Sequence, residues 1–304
     1  MNTLARVEGS LPLRALGWRG ILLDYVELGK PRIVLLLLIT TAAAMLMAAR
    51  GLPPLGLLAW TLLGGALSAG SASAFNCVFD RDIDKLMRRT MTRPIPTGRI
   101  SPASAIVAAT LAGTAGFAIL YLLVNPLAAW LSLAGNLYYV FVYTIWLKRS
   151  TPQNIVIGGA AGAVPPLVGW AAVTGHIGAP AIGLFAIIFL WTPPHFWALS
   201  LMTNVDYDKA RIPMFPNVYG VPRTKREILL YSLVLVGVSL TLVDIRVMGA
   251  IYGVAATILG AIFVYDAIKL KGDDTRKWAR ALFKFSLVYL ALLCVAMVAD
   301  RIFG

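Results

Sequence analysis

Charged residues are scarce in this sequence of 304 residues, because Asp, Glu, Lys and Arg together make up only 13% of it. Soluble domains carry about 25%, so the shortage excludes an ordinary water-soluble globule. Histidine and cysteine each occur twice, and Cys77 and Cys294 lack the spacing of a zinc site or a disulfide framework. We therefore expect both cysteines to be packing residues.

The chain contains long apolar runs, and hydrophobic residues make up 59% of it. Runs of about 18 or more apolar residues mark membrane-spanning helices. Because a segment in lipid must satisfy its own backbone hydrogen bonds, these runs should be helices rather than strands. The sequence predicts an all-α, polytopic membrane protein. Residues 1–32 form a basic N-terminal segment, and residues 33–302 form a bundle of nine transmembrane helices around a central, lipid-accessible cavity. The nine predicted spans are 33–50, 55–75, 103–123, 127–147, 154–174, 180–202, 227–244, 249–269 and 281–300.

Lysine and arginine are distributed unevenly between the loops that these spans create. If alternate loops lie on opposite sides of the membrane, one side holds all of the 27 basic residues except Arg50, Arg246, Lys284 and Arg301. Basic loops remain cytoplasmic, so we expect the N-terminus inside and the C-terminus outside, in the cell membrane. The net charge of +13 then reflects topology rather than binding to nucleic acid.

Acidic residues gather directly after the second span, in the stretch "NCVFDRDIDKLMRRTMTRPIPTG" at residues 76–98. Asn76, Asp80 and Asp84 are four residues apart, and four residues advance about 400° around an α-helix, so their side chains should share one face. Oxygen-bearing side chains on one face suit Mg²⁺, which prefers oxygen ligands and shares them with substrate phosphates. Asp82 lies off this face and should be at the surface. The alternative interpretation is a solvated loop with ordinary charges.

Basic residues follow the acidic motif at once; they are Lys85, Arg88, Arg89 and Arg93. A second large loop on the same side repeats the order, with Asp206 and Asp208 followed by Lys209 and Arg211. A metal ion together with Arg and Lys can hold a diphosphate and neutralise its leaving charge. The pattern indicates a polyanionic head group at one membrane face, with a lipid-soluble tail between the helices, as in an isoprenyl diphosphate.

The motifs resemble those of the UbiA-type intramembrane prenyltransferase superfamily, through Asn76-x3-Asp80-x3-Asp84 and the acidic second loop. Further blocks resemble the branch of that superfamily that farnesylates heme b. They are "ELGKPRI" at 27–33, "NCVFDRDIDKLMRRTMTRPIPTGRIS" at 76–101, "WTPPHFWALSL" at 191–201 and "DYDKARIPMFP" at 206–216. The resemblance runs over nearly the whole chain.

The resemblance implies that a farnesyl group passes from farnesyl diphosphate to a vinyl group of heme b, with Mg²⁺ as cofactor and heme O as product. It also implies a downstream heme A synthase or terminal oxidase assembly as a partner. Carried over by position, the catalytic residues are Asp80, Asp84, Asp206 and His195. The metal ligands are Asn76, Asp80, Asp84 and Asp206, with Asp208 as a further candidate. The diphosphate contacts are Lys30, Arg89, Arg93 and Lys209, to which the charge pattern adds Lys85 and Arg211. Ala210 stands where the fuller D-x3-D pattern has an acid, so the second ligand set stays open.

His195 follows two prolines in the sixth span, and Pro193 and Pro194 are expected to interrupt that helix. Its side chain is either a hydrogen-bonded buried histidine or a group that contacts heme, or acts as a base, near the vinyl group.

Two other functions remain open at this point. The acceptor could be a quinone ring or a chlorophyll-type molecule, or the chain could be a transporter for a cation or a lipid phosphate, since acidic pairs and broken helices also occur in transporters. The clustering of charge in loops on one side, rather than at mid-membrane, favours the enzyme.

Overall fold

A computed structural model describes residues 17–304, so the first half of the basic N-terminal segment predicted at 1–32 lies outside the described residues. Within the described range the chain is helical and contains no strand. Nine of the helices in that range are long and apolar enough to cross a membrane, which confirms the predicted multi-pass bundle. These spans are Pro31–Ala49, Leu55–Phe79, Pro102–Leu123, Pro126–Ser150, Asn154–Thr174, Ala179–Lys209, Val221–Asp244, Ala250–Lys271 and Lys277–Phe303.

The observed spans match the predicted ones in order, but several are longer at the end that carries the acidic motifs. The second span continues to Phe79 and the sixth to Lys209, so Asn76 and Asp206 lie on helices rather than in loops. A helix end at the membrane surface can carry polar side chains. The backbone hydrogen bonds of these spans therefore continue past the end of the apolar run. The extension places the motif residues on rigid elements.

The helices close into a ring. The second span packs on the third, the sixth on the fifth, seventh and ninth, and the first on both the fifth and the ninth. Small residues allow the closest approaches, as sequence "GGALSAGSASA" at 64–74 suggests. A Cβ built on Gly116 would stand 2.8 Å from the carbonyl oxygen of Gly64, so the second and third spans touch backbone to backbone there.

The helical hydrogen-bond pattern changes within two spans. The fourth span becomes a π-helix over Tyr138–Leu147. In the fifth span the pattern is interrupted at Val164, before Pro165, although Val164 keeps helical angles of φ −65° and ψ −36°. Irregular backbone at membrane depth is tolerated where it is buried in protein or lines a cavity, and π-helical turns are frequent at functional sites.

The predicted interruption of the sixth span at its two prolines is wrong. The helix runs through Pro193 and Pro194, and its one non-helical residue is Thr203, at φ −121° and ψ 17°. The proline ring fixes φ near −65°, which a helix accepts, and the loss of two N–H donors leaves only two carbonyl groups of the preceding turn without their helical partners.

Three shorter helices complete the described chain: Trp18–Leu28, Arg81–Asp84 and Phe215–Tyr219. The first of them leads into the first span. Its buried Asp24 accepts hydrogen bonds from Nε of Arg99 at 3.0 and 3.1 Å. This ion pair ties the helix to the loop that follows the acidic motif.

Candidate active site

Asn76, Asp80 and Asp84 share one face, as their spacing predicts. The backbone N–H of Asp80 donates to the carbonyl oxygen of Asn76 at 2.9 Å, and the N–H of Asp84 donates to the carbonyl oxygen of Asp80 at 2.8 Å. The helical hydrogen-bond pattern therefore continues across the end of the second span. All three residues are buried, at 3%, 0% and 1% exposure. Two carboxyl groups are therefore held together in a place where water reaches neither of them.

The π-helical segment of the fourth span supplies the facing side of this site. Nδ2 of Asn76 donates to Oδ2 of Asp80 at 2.8 Å and to Oγ1 of Thr144 at 3.1 Å. Lys148, at the end of the same span, forms an ion pair with Asp80. The side chain of Asn76 is thus fixed by contacts on both sides.

Two further cations reach the acidic face from other segments. Nη1 of Arg93 donates to Oδ2 of Asp84 at 2.7 Å, and Nζ of Lys30 donates to Oδ1 of Asn76 at 2.5 Å. Burial lowers the pKa of Lys30. Together with Lys148, these residues bring three basic side chains to two carboxylates, which suits a ligand with several negative charges.

The backbone of Lys30 is strained. Its φ is 52°, in the left-handed region, although the residue precedes a proline, which favours an extended conformation. Such a conformation costs about 1–3 kcal/mol and is found mostly at functional sites. The strain accompanies a position from which the ammonium group reaches the acidic face.

One oxygen on each carboxylate accepts no hydrogen bond. Oδ1 of Asp80 and Oδ1 of Asp84 are buried and lack a hydrogen-bond donor within residues 17–304, although Nη2 of Arg149 lies 4.0 Å from Oδ1 of Asp80. Buried charged oxygens are costly unless a cation or donor approaches them. These two oxygens and the remaining lone pair of the Asn76 amide oxygen fit the ligand preference of Mg²⁺, which often uses one or two carboxylates and takes its other ligands from water and phosphate.

Asp82 points away from this face, as its spacing predicts. Its side chain is 61% exposed, and both of its oxygens accept hydrogen bonds from Arg149, each at 2.7 Å. The hydrogen bond from Arg149 holds the pKa of Asp82 at about 2. Asp82 therefore offers a local reference for Asp80, since the two acids are two residues apart and differ in burial.

The second acidic loop packs against the first but does not join its acids to the buried face. Tyr207, Ile212 and Met214 form an apolar cluster with Ile83 and Met87. Asp206 is half-buried and Asp208 is exposed. Across the described chain, no three His, Cys, Asp or Glu side chains are close enough to hold a metal ion by themselves. The second metal set therefore stays a prediction.

The remaining basic candidates lie outside the buried face. Lys209 and Arg211 line a separate pocket with Asp82 and Arg149. Lys85 and Arg89 are exposed. Of the six predicted diphosphate contacts, Lys30 and Arg93 are the two that hydrogen-bond to the buried face in the described structure.

An apolar cavity of about 320 Å³ lies next to the buried charges, among the first, second, fourth, fifth and sixth spans. Ser73, one turn before Asn76, lines it, and so does Ile33, which is 53% exposed. The cavity therefore begins one helical turn from the charged site. Most of its other lining residues are small, apolar or aromatic, and include Gly158, Tyr139 and Tyr143, whereas Asn136 and His195 are polar.

Comparison with known proteins identifies the group to which this architecture belongs. The sequence profile described as the UbiA prenyltransferase family matches residues 37–288. The chain belongs to the UbiA prenyltransferase family. It is 55% identical over 302 residues to a protein of Gloeobacter violaceus named protoheme IX farnesyltransferase, covering 99% of this chain and 97% of that relative. The resemblance found in the sequence is thereby confirmed, and the chain is a prenyltransferase rather than a transporter.

Solved structures show the UbiA fold as well. A structure described for digeranylgeranylglyceryl phosphate synthase superposes with a TM-score of 0.78 at 18% identity, over 93% of this chain and 99% of the other. A UbiA homolog from Archaeoglobus fulgidus bound to DMAPP and Mg²⁺ superposes with a TM-score of 0.61 at 15% identity, over 91% and 99%. At these identities the likeness establishes the fold alone.

His195 lines the cavity of this UbiA protein on the sixth span. Its Nδ1 lies 2.6 Å from Oγ of Ser286 on the ninth span. The residue is therefore hydrogen-bonded, as the first predicted description has it. It also lines the cavity, and the second description, contact with heme or action as a base, stays a prediction.

The sequence did not predict three residues that the structure places at the candidate site or beside His195. They are Thr144, Lys148 and Ser286. Lys148 was counted only as a topological charge, and Thr144 and Ser286 lie in apolar runs that read as plain spans. The signal that could have found Thr144 and Lys148 is their spacing of four residues, which puts both on one helix face at a membrane surface.

Proposed function

We propose that this protein transfers a farnesyl group from farnesyl diphosphate to a vinyl group of heme b, giving heme O and diphosphate. The observation that carries the proposal is the 55% identity, over almost the full length of both chains, to a relative named protoheme IX farnesyltransferase. The geometry agrees with this reaction, because a buried polar face and an apolar cavity meet at Ser73 and Asn76. The first suits a diphosphate and the second suits a hydrocarbon chain and a porphyrin.

The basic residues at the buried face would bind and orient the diphosphate. Arg93 and Lys148 each contact one carboxylate, and Lys30 contacts Asn76, so all three cations are positioned before substrate arrives. Arg offers paired donors that match phosphate oxygens, whereas Lys offers a point charge. Positive groups set in advance around a leaving diphosphate stabilise the charge that develops as the carbon–oxygen bond breaks.

Asp80 and Asp84, with Asn76, would hold Mg²⁺, through the two carboxylate oxygens that accept no hydrogen bond in the described chain. Bound Mg²⁺ supplies a Lewis acid that neutralises charge on the leaving diphosphate. Asp206 and Asp208 would contribute a second set once the loops close on substrate. The half-buried Asp206 is the better placed of the two, and Lys209 follows it in the same loop.

The cavity would exclude water from the farnesyl chain and hold the acceptor. The prenyl C1–O bond breaks, the vinyl carbon forms a bond to C1, and water adds to the resulting cation and releases a proton. The product carries a hydroxyethylfarnesyl side chain. Low water content around C1 matters, because water would otherwise capture the prenyl group before the vinyl group does.

We further propose that the charged site faces the cytoplasm of the cell membrane, with the N-terminus inside and the C-terminus outside. The support is the concentration of Lys and Arg in one set of alternate loops. Heme O from this reaction would pass to a heme A synthase or to the assembly of a terminal oxidase, which would be the downstream partner.

The direct test is turnover by the purified protein in detergent with Mg²⁺, farnesyl diphosphate and heme b, followed by mass spectrometry of extracted hemes. We expect a heme heavier by one hydroxyfarnesyl addition, and we expect EDTA to abolish it. Transfer of the prenyl group to an aromatic acceptor with release of diphosphate, and with no heme product, would retain the family and overturn the acceptor.

A further inference from the structure

The imidazole of His195 is held in one plane by its neighbours. The ring of Trp191 stacks on it with centroids 4.2 Å apart and an interplanar angle of 16°. Phe283, from the ninth span, stacks on it at 4.7 Å and 23°. Nε1 of Trp191 donates to the backbone oxygen of Ser286 at 2.8 Å, so the stack is also fixed to the ninth span.

The hydrogen bonds of Ser286 determine which nitrogen of His195 carries the proton. Oγ of Ser286 lies 2.7 Å from the carbonyl oxygen of Phe283 and 2.6 Å from Nδ1 of His195. A carbonyl oxygen can only accept, and a hydroxyl group has one proton to donate. The serine proton therefore goes to Phe283, and Nδ1 of His195 must donate to the serine oxygen. The opposite arrangement would press two oxygen lone pairs together in a buried place.

This assignment leaves Nε2 of His195 with a free lone pair. Nε2 makes no hydrogen bond to any residue between 17 and 304, and the residue lines the cavity. A neutral imidazole whose Nδ1–H is donated to a protein oxygen, and whose Nε2 is open, is the arrangement in which histidine binds a transition metal. Heme iron is the metal that the proposed substrate would bring into this cavity.

A role as a general base fits the surroundings of His195 less well. A base becomes an imidazolium when it takes a proton, and this ring lies between two aromatic rings and forms no ion pair in the described chain. A charge in such a place is costly without a carboxylate partner. A histidine that binds a metal stays neutral, so burial between the two aromatic rings does not carry the cost of a buried charge.

We propose that Nε2 of His195 binds the iron of the heme acceptor as an axial ligand and that Ser286 is the positioning residue that sets its tautomer. Ligation would fix the porphyrin in the cavity, which is also lined by Ser73, one turn before Asn76. The proposal rests on the proposed function, since it requires heme in this cavity.

The test is the absorption and resonance Raman spectrum of heme b bound to the full-length protein, without farnesyl diphosphate. We expect the wild type to give the spectrum of histidine-ligated heme. His195→Gly should lose that spectrum, and added imidazole should restore it. His176→Ala is the matched control, because His176 is exposed in a loop and its removal should leave the spectrum unchanged.

Ser286 gives a second, independent variant. Ser286→Ala removes the acceptor for Nδ1, and loss of such a supporting hydrogen bond typically weakens metal binding about 10–100-fold. Ser286→Thr keeps the hydroxyl group and should recover most of the affinity. Because this pair leaves His195 in place, it tests the proposal even if His195→Gly does not fold.

These outcomes distinguish a failure of the ligand assignment from a failure of the proposed function. Heme that binds His195→Gly with an unchanged spectrum would overturn the ligand assignment and leave the farnesyltransferase intact. A wild type that binds no heme, yet transfers prenyl groups to another acceptor, would overturn both.

Discussion

The substitution Asp80→Asn isolates the role of one buried negative charge. Asn has nearly the same shape as Asp, so packing is kept while the charge is removed. Asp80 is fully buried and pairs with Lys148, and its second oxygen accepts no hydrogen bond within residues 17–304, with Arg149 4.0 Å away. Removing one preorganised group that stabilises developing charge typically costs about 100- to 1,000-fold in kcat, or roughly 3–4 kcal/mol. We expect a loss of at least that size.

The same substitution two residues later is the matched control. Asp82 has a 61% exposed side chain and, among residues 17–304, bonds only to Arg149 and local backbone. Exposed ion pairs contribute about 0–1 kcal/mol. Asp82→Asn should therefore change kcat by less than about three-fold, although the two variants remove the same charge from the same short segment.

The assay is initial-rate formation of the heavier heme at saturating substrates, with Mg²⁺ titrated for each variant. Asp80→Asn also leaves Lys148 without its acid, which should lower stability by about 1–3 kcal/mol. Thermal unfolding and size-exclusion profiles in detergent therefore accompany the rates. Near-normal turnover by a folded Asp80→Asn variant would refute the assignment, and so would an equal loss in both variants.

Three further outcomes follow from the same geometry. Asp84→Asn should raise the Mg²⁺ concentration for half-maximal rate by at least about 10-fold, measured by metal titration, and an unchanged requirement would contradict its role as a ligand. Gly158→Ala should lower the free energy of unfolding by about 1–3 kcal/mol and distort the cavity, because the new Cβ would stand 2.2 Å from Tyr143. Gly56→Ala, whose new Cβ would meet nothing within 4 Å, should be neutral in the same melting and activity assays. The pKa of Asp82 is about 2 when folded and about 3.9 in model peptides, so the stability that its ion pair contributes is fully present above about pH 4 and is lost as pH falls through about 2. The difference in Tm between wild type and Asp82→Asn should therefore stay constant from pH 8 to about 5. A difference that vanishes near pH 6 would exclude this ion pair as its cause.

Local sequence was sufficient to predict the framework of the site. Apolar runs predicted nine spans, and nine are present in the described chain, because burial in lipid depends on composition over about 20 residues. The spacing of Asn76, Asp80 and Asp84 predicted a common face, because helix geometry alone sets it. The placement of Asp82 off that face followed from the same rule.

The sequence could not predict which distant residues complete the site. Thr144 and Lys148 reach the acidic face only because the fourth span is π-helical and packs beside the second.

The sequence by itself determined the membrane class, the family and the acidic face, because each depends on residues close together in the chain. The tertiary structure alone decided that Lys30 and Arg93 contact that face while Lys209 and Arg211 line another pocket. It alone also placed Ser286 beside His195. These contacts join residues up to 91 positions apart, and the packing of whole helices, which no local pattern encodes, brings them together.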